Sequence, residues 1–138
     1  MLNKIIQVIK RSPFPVVTSI DPKGYPSART MGLVENKSTP PKILYFSTNT
    51  SSQHVAHYRK NQKACVYFKR IRGWNFEGVC LCGTMEVLED DKTKKDFWTP
   101  LSRLFYKSCK DPDYCILLFT ATKARYYQAQ KSTDIVLK

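Results

Sequence analysis

The chain has 138 residues, 42% of them apolar and 12% aromatic, and a formal net charge of +12. That length supports one domain, residues 1–138, around a single core, and no stretch approaches the roughly 18-residue apolar run of a membrane-spanning helix. The charge excludes little alone but favours anionic partners: nucleic acid, acidic lipid or a phosphorylated small molecule.

Taken in order, the opening MLNKIIQVIKRSPFP is too polar for a secretory signal and lacks a small-residue cleavage site. Leu2, Ile5, Ile6 and Ile9 recur at helical spacing and predict a helix, which Pro13 and Pro15 end. PVVTSID then reads as a strand and DPKGYP as a turn, with Asp, Pro and Gly where turn chemistry wants them. SARTMGLVE returns with Ala28, Thr30, Gly32 and Val34 alternating against Arg29, Met31 and Leu33, so the two runs form a hairpin. NKSTPP is a loop and KILYFST a strand. SSQHVAHYRKN is a helix with Val55, Ala56 and Tyr58 as its core stripe and Arg59 and Lys60 at its C-terminal end.

KACVYFKRI is a fourth strand, RGWN a turn, and FEGVCLCGTMEVLE a long fifth strand in which Gly78 and Gly83 mark bends or bulges. Asp90 or Asp91 caps a short helix through Trp98, Pro100 starts another reaching about Lys107, and DYCILLFTATKARYYQAQ is the sixth strand. The result is a mainly β protein: a six-stranded antiparallel barrel, closed or nearly closed, with a few helices. Closure removes the exposed edges that aggregate. A barrel this small has a filled interior, so a sizeable ligand sits outside it or between two subunits, which favours a homodimer.

The five cysteines are Cys65, Cys80, Cys82, Cys109 and Cys115. They form no CxxC pair, and the only histidines, His54 and His57, lie elsewhere. No metal is expected, and reduced thiols fit a cytoplasmic location better than a disulfide scaffold does. Between Glu35 and Glu77 there is no carboxylate, whereas Lys37, Lys42, Arg59, Lys60, Lys63, Lys69, Arg70 and Arg72 fall in that interval. The hydroxyl-rich FSTNTSSQHVAHYRKN sits inside it. Ser, Thr and Asn there could simply cap the helix, or the helix start and its hydroxyls could hold a phosphate.

ARTMGL at 28–33, STNTSSQHVAHYRKN at 47–61, CGTMEVLEDDKTKKDFW at 82–98 and DPDYCILLFTATKARYY at 111–127 together resemble the pyridoxamine 5'-phosphate oxidase-like, FMN-binding split barrels, in particular their small general-stress-protein branch. The resemblance implies a split barrel that binds FMN at a homodimer interface. It implies that Arg29 bonds the phosphate, that Thr30, Met31 and Gly32 line the flavin with backbone groups, and that Ser47 and Thr48 contact it next. Ser52, Gln53 and His54 take the place of a Ser-Arg-Lys segment that grips phosphate in the family. Gln53 and His54 thus replace two cations, and a phosphate neighbour would favour protonated His54 and a pH-sensitive affinity. Met31, Trp74, Trp98, Tyr126 and Tyr127 are aromatic or apolar candidates to cover the isoalloxazine, against core packing. The Arg-rich C-terminal extension of true pyridoxamine phosphate oxidases has no counterpart after Tyr127, which speaks against that substrate.

The function implied is an FMN-dependent oxidoreductase acting on a small molecule, in which the flavin supplies the redox chemistry; no side chain stands out as a catalytic acid or base. A flavin or haem carrier or sensor without turnover is the alternative. A nucleic-acid-binding barrel ranks last, with Tyr67, Phe68 and Trp74 as stacking groups among Lys69, Arg70 and Arg72.

Overall fold

Alternation of apolar and polar residues decides the architecture that the computed structural model describes over residues 1–138. The elements are α1 (Leu2–Lys10), β1 (Val16–Ile20), β2 (Pro26–Thr30), β3 (Ile43–Asn49), α2 (Gln53–Lys60), β4 (Lys63–Arg72), β5 (Asn75–Leu88), α3 (Asp91–Asp96), a 3-10 turn (Pro100–Leu104), β6 (Tyr114–Gln128) and β7 (Lys131–Val136). Every strand pairing is antiparallel, in the order β2-β1-β4-β5-β6-β3. The two ends of that path are joined where the chain leaving β2 meets β3: Leu33 bridges Phe46, and the Val34 amide donates to the Tyr45 carbonyl at 2.8 Å. One bridge therefore closes the barrel, which is what a split barrel requires.

A seventh strand corrects the expected count of six, and the sixth ends at Gln128 instead of reaching Gln130. β7 folds back on β6, Lys123 opposite Val136 through Gln128 opposite Lys131. Its two-residue turn places Ala129 and Gln130 at φ 50° and 67°, left-handed positions that usually announce themselves with Asn or Gly.

Inside the barrel, Leu44, Phe46, Val66, Phe68, Val79, Leu81, Leu117 and Phe119 are fully buried. Each such side chain contributes about 1.5–3 kcal/mol by leaving water. α1 adds Ile5, Val8 and Ile9 to that core, while Leu2 stays exposed. Phe68 belongs to this interior, so it is not available as a base-stacking group. Arg70 is also engaged: it donates from Nε and Nη2 to Glu77 Oε1 at 3.0 and 2.6 Å, and Tyr126 donates to the other carboxylate oxygen. The basic stretch of β4 is thus partly a buried ion pair rather than an open nucleic-acid surface.

Of the two glycines in β5, Gly83 sits at a bulge, where the register with β6 shifts after Cys82. A Cβ at Gly83 would lie 1.9 Å from the Thr120 carbonyl oxygen, so only glycine permits that approach. Gly78 marks no bulge; it leaves room for the Tyr67 hydroxyl, which a Cβ would approach to 2.6 Å. No helix is long and apolar enough to cross a membrane.

Candidate functional site

Arg29 lies in β2 opposite Val17 of β1. Its Nη2 donates to Ser19 Oγ at 2.9 Å and Ser27 Oγ at 3.0 Å, and its Nη1 to the Val17 carbonyl at 3.2 Å. Part of the guanidinium fork therefore fixes the side chain, and the rest stays free for an anion. Ser19 is fully buried, and its hydroxyl also stands 2.8 Å from His57 Nδ1. Because Arg29 donates to Ser19, the serine hydrogen can go to His57, which makes Nδ1 the acceptor. This relay ties β2 through β1 to α2.

α2 brings two further groups to the same place. Its first turn carries His54, whose Nε2 stands 2.8 Å from Thr48 Oγ1 and 3.0 Å from Ser52 Oγ. Burial lowers the His54 pKa to about 4, and the charge of Arg29, then of His57, acts in the same direction. In the free chain His54 is accordingly neutral at physiological pH; the expectation of a protonated His54 concerns the ring beside a bound phosphate. Tyr58, one turn on, donates to the Thr18 carbonyl at 2.7 Å. Burial pushes it up to about 12, with Arg29 opposing. Arg29 is thus the fixed positive charge among His54, His57 and Tyr58.

The start of α2 resolves the choice between capping and anion binding in part. Ser52 occupies the N-cap with an extended backbone, but its side chain makes no capping hydrogen bond; it faces His54 instead. The amides of the first turn keep no side-chain acceptor, which is the state in which a helix start attracts an anion. Gln53 points into solvent and Ser47 is exposed, whereas Thr48 is buried. Acidic residues are absent from that first turn, but the Asp113 carboxylate stands just ahead of it, accepting from the Ser51 amide and from Asn49 Nδ2, both at 2.8 Å.

β2 is an edge strand of the sheet path. The amides of Met31 and Leu33 donate inward to the carbonyls of Pro15 and Pro13, both at 3.1 Å. By the alternation of antiparallel pairing, Thr30 and Gly32 between them turn their backbone groups away from β1 and out of the edge. Met31 itself packs into the core. Among the other ring-covering candidates, Tyr126 is a core residue bonded to Glu77 and Trp98 packs edge-on against Tyr114 at 5.4 Å between centroids. Trp74 and Tyr127 instead line a cleft of ≈ 500 Å³ with Tyr67, Phe76 and Cys80.

Ser19, Ser27, His57 and Tyr58 were not singled out as site residues in the sequence. One signal was present: Ser19 shares a face with Val17 in VVTSI, so a polar residue occupies a core-facing position. His57 and not Ala56 completes the buried face of α2 with Val55 and Tyr58.

A family model described as pyridoxamine 5'-phosphate oxidase matches residues 1–128. Among solved structures, a Clostridium acetobutylicum protein related to general stress protein 26 of Bacillus subtilis, of the pyridoxinephosphate oxidase family, is 32% identical with a TM-score of 0.85, covering 99% of this chain and 94% of that one. A pyridoxamine 5'-phosphate oxidase-related, FMN-binding protein of Nostoc punctiforme is 13% identical with a TM-score of 0.65, covering 99% and 96%. A haem-binding protein of Mycobacterium smegmatis is 10% identical with a TM-score of 0.72, covering 94% of this chain and 55% of that one. The last two show the fold alone. No curated protein sequence matches the chain.

Proposed function

The chain belongs to the pyridoxamine 5'-phosphate oxidase family, and on that premise we propose that it is an FMN-binding protein that, as a cytoplasmic homodimer, oxidises or reduces a small molecule. The observation that carries this reading is the linkage of Arg29 through Ser19 to His57 of α2, a helix whose start has no side-chain cap. These are the positions at which the family resemblance expects the phosphate.

Arg29, held by Ser19 and Ser27, would supply charge-assisted hydrogen bonds of about 1.5–3 kcal/mol each. The first-turn amides of α2 would take the remaining phosphate oxygens. Thr48 and Ser52 would hold neutral His54 in place through the contacts they already make. Thr30 and Gly32 would present edge amides to the ring system. FMN, when bound, supplies the redox chemistry; the chain's residues bind it, orient it and exclude water.

One protomer leaves the site open on its outer side. The edge of β2, with exposed Phe14 and Tyr25 near it, and the exposed Ile71, Trp74 and Phe76 around the β4–β5 turn are surfaces that a second subunit would cover. All five cysteines are free, which suits a reducing compartment. A haem carrier, the reading that the name of the M. smegmatis neighbour suggests, has less support: one ring nitrogen of each histidine, Nε2 of His54 and Nδ1 of His57, is already held by a hydroxyl. The test is the visible spectrum of the purified protein after incubation with excess FMN and gel filtration, together with its elution volume. A retained two-banded flavin spectrum in a dimer supports the reading; a colourless protein, or a haem band, contradicts it.

A further inference from the structure

Folding assembles a group that chain spacing hides. Cys65 of β4 is paired with Cys82 of β5. Thr18 accepts from the Cys65 amide at 2.8 Å and donates to its carbonyl at 3.2 Å, so the backbone groups of Cys65 face β1 and not β5. The Cys65–Cys82 pair is therefore of the non-hydrogen-bonded kind, in which opposed side chains approach closest. Their sulfurs stand 3.2 Å apart. Cys80, two residues before Cys82, presents its side chain on the same outer face, and all three sulfurs lie within 4.8 Å of one another. The Gly83 bulge follows Cys82 directly, and a bulge re-aims the side chain beside it.

We propose that Cys65, Cys80 and Cys82 form a trithiolate site for a soft monovalent cation, copper(I). Thiolates select soft metals, whereas hard cations need oxygen ligands. The group contains no imidazole and no carboxylate. Structural zinc takes four protein ligands, and here there are three; a closed-shell monovalent ion is satisfied by a trigonal set. A metal–sulfur bond of about 2.3 Å puts trigonal sulfurs about 4 Å apart, between the 3.2 Å and 4.8 Å that the cluster spans, so small side-chain rotations suffice.

The surroundings suit this. All three cysteines are half-buried; Cys65 and Cys82 line a cavity of ≈ 490 Å³ with Thr18, Ser19 and Thr122, and Cys80 lines the cleft that holds Tyr67 and Tyr127. Arg125 and Lys123 on β6 are the cross-strand partners of Cys80 and Cys82. Both pair with one carboxylate, Asp134, at 2.6 and 3.3 Å, leaving a positive balance beside the sulfurs. On binding, each thiol releases its proton to solvent as its sulfur–metal bond forms; the oxidation state of copper does not change, so no oxidant is needed.

The experiment is an anaerobic titration of the full chain, reduced with a phosphine, with copper(I) against a chromophoric copper(I) chelator. The expected result is one equivalent withdrawn per chain, with Cys65, Cys80 and Cys82 protected from iodoacetamide while Cys109 still reacts. Cys65→Ser and Cys82→Ser should weaken retention by more than the roughly ten- to hundredfold that a supporting residue costs, and Cys109→Ser should leave it unchanged. Thiol protection in the unsubstituted protein reads the site even if a serine variant fails to fold. Failure to compete with the chelator, equal protection of Cys109, or tighter retention of zinc than copper would overturn the proposal. So would air-formed Cys65–Cys82 disulfide in a chain that binds no copper after reduction.

Discussion

Thr48 Oγ1 stands 2.8 Å from His54 Nε2, joining a buried residue of β3 to the first turn of α2. That contact suits a neutral imidazole accepting from a hydroxyl, and burial with Arg29 and His57 nearby keeps the ring so, its pKa falling from 6.5 to about 4. The unfolded chain takes up this proton first. Stability contributed by neutral His54 is therefore complete above 6.5 and is lost as pH falls toward 4. Denaturant midpoints should decline on acidification through that window, and His54→Gln should flatten the decline; an unchanged profile contradicts the assignment.

The same neutrality bears on the cofactor. With Arg29 as the fixed charge and His54 uncharged, FMN affinity should change little between about pH 7 and about pH 8.5, above the phosphate's second ionisation near 6. A dissociation constant that climbs steeply over this range would mean that the bound phosphate recharges His54, and that the histidine replaces a lost lysine in function after all.

Ser19→Ala removes the acceptor that orients Arg29 and the partner of His57 Nδ1, both at a fully buried position. It should cost about 1–3 kcal/mol of stability, the penalty for orphaned buried polar groups. It should also weaken FMN binding without touching the ligand. Ser27→Ala, half-exposed, should do less on both counts, and the reverse order would contradict the relay.

Glu77 is 4% exposed and accepts from Tyr126 and Arg70. The Tyr126 hydrogen bond, outweighing burial and joined by Arg70, holds its carboxyl below the usual range. The stability it contributes is present above the ordinary carboxylate pKa and disappears as pH falls through the lowered folded value. Arg70→Ala should cost less than the ~3–5 kcal/mol of a fully stranded buried charge, because Tyr126 still donates to Glu77 and Arg72 Nη2 stands 3.8 Å from Oε1. A smaller loss in Arg70→Ala than in Lys69→Ala would show the pair to be solvated.

Gly83→Ala places a methyl against the Thr120 backbone and should destabilise by about 3 kcal/mol, the upper end for overpacking. Gly78→Ala meets only the end of the Tyr67 side chain, which can turn aside, and should cost less. Thermal melts of the two variants decide the order.

Strand alternation and turn chemistry in the sequence carried most of the barrel, because β1, β3 and β4 alternate buried and more exposed positions against one core. β7 escaped because KSTDIV has no buried face of its own: its first four residues are exposed. Its turn also uses Ala129 and Gln130 where Asn-Gly would have advertised a hairpin. At the site, Arg29 and the α2 start were visible as motifs. Their linkage through Ser19 and His57 was not, since it depends on strand register and on which face of α2 meets β1. The cysteine cluster is the clearest case: Cys80 and Cys82 are neighbours in sequence, but only the β4–β5 register supplies Cys65.

The most direct measurement is an equilibrium titration of FMN into the purified protein and into Arg29→Ala, with Lys69→Ala as the distant control. Losing charge-assisted hydrogen bonds of about 1.5–3 kcal/mol should raise the dissociation constant roughly ten- to a hundredfold in Arg29→Ala, and leave Lys69→Ala at the starting value. Equal affinities for the unsubstituted chain and Arg29→Ala would contradict a phosphate held between β2 and α2.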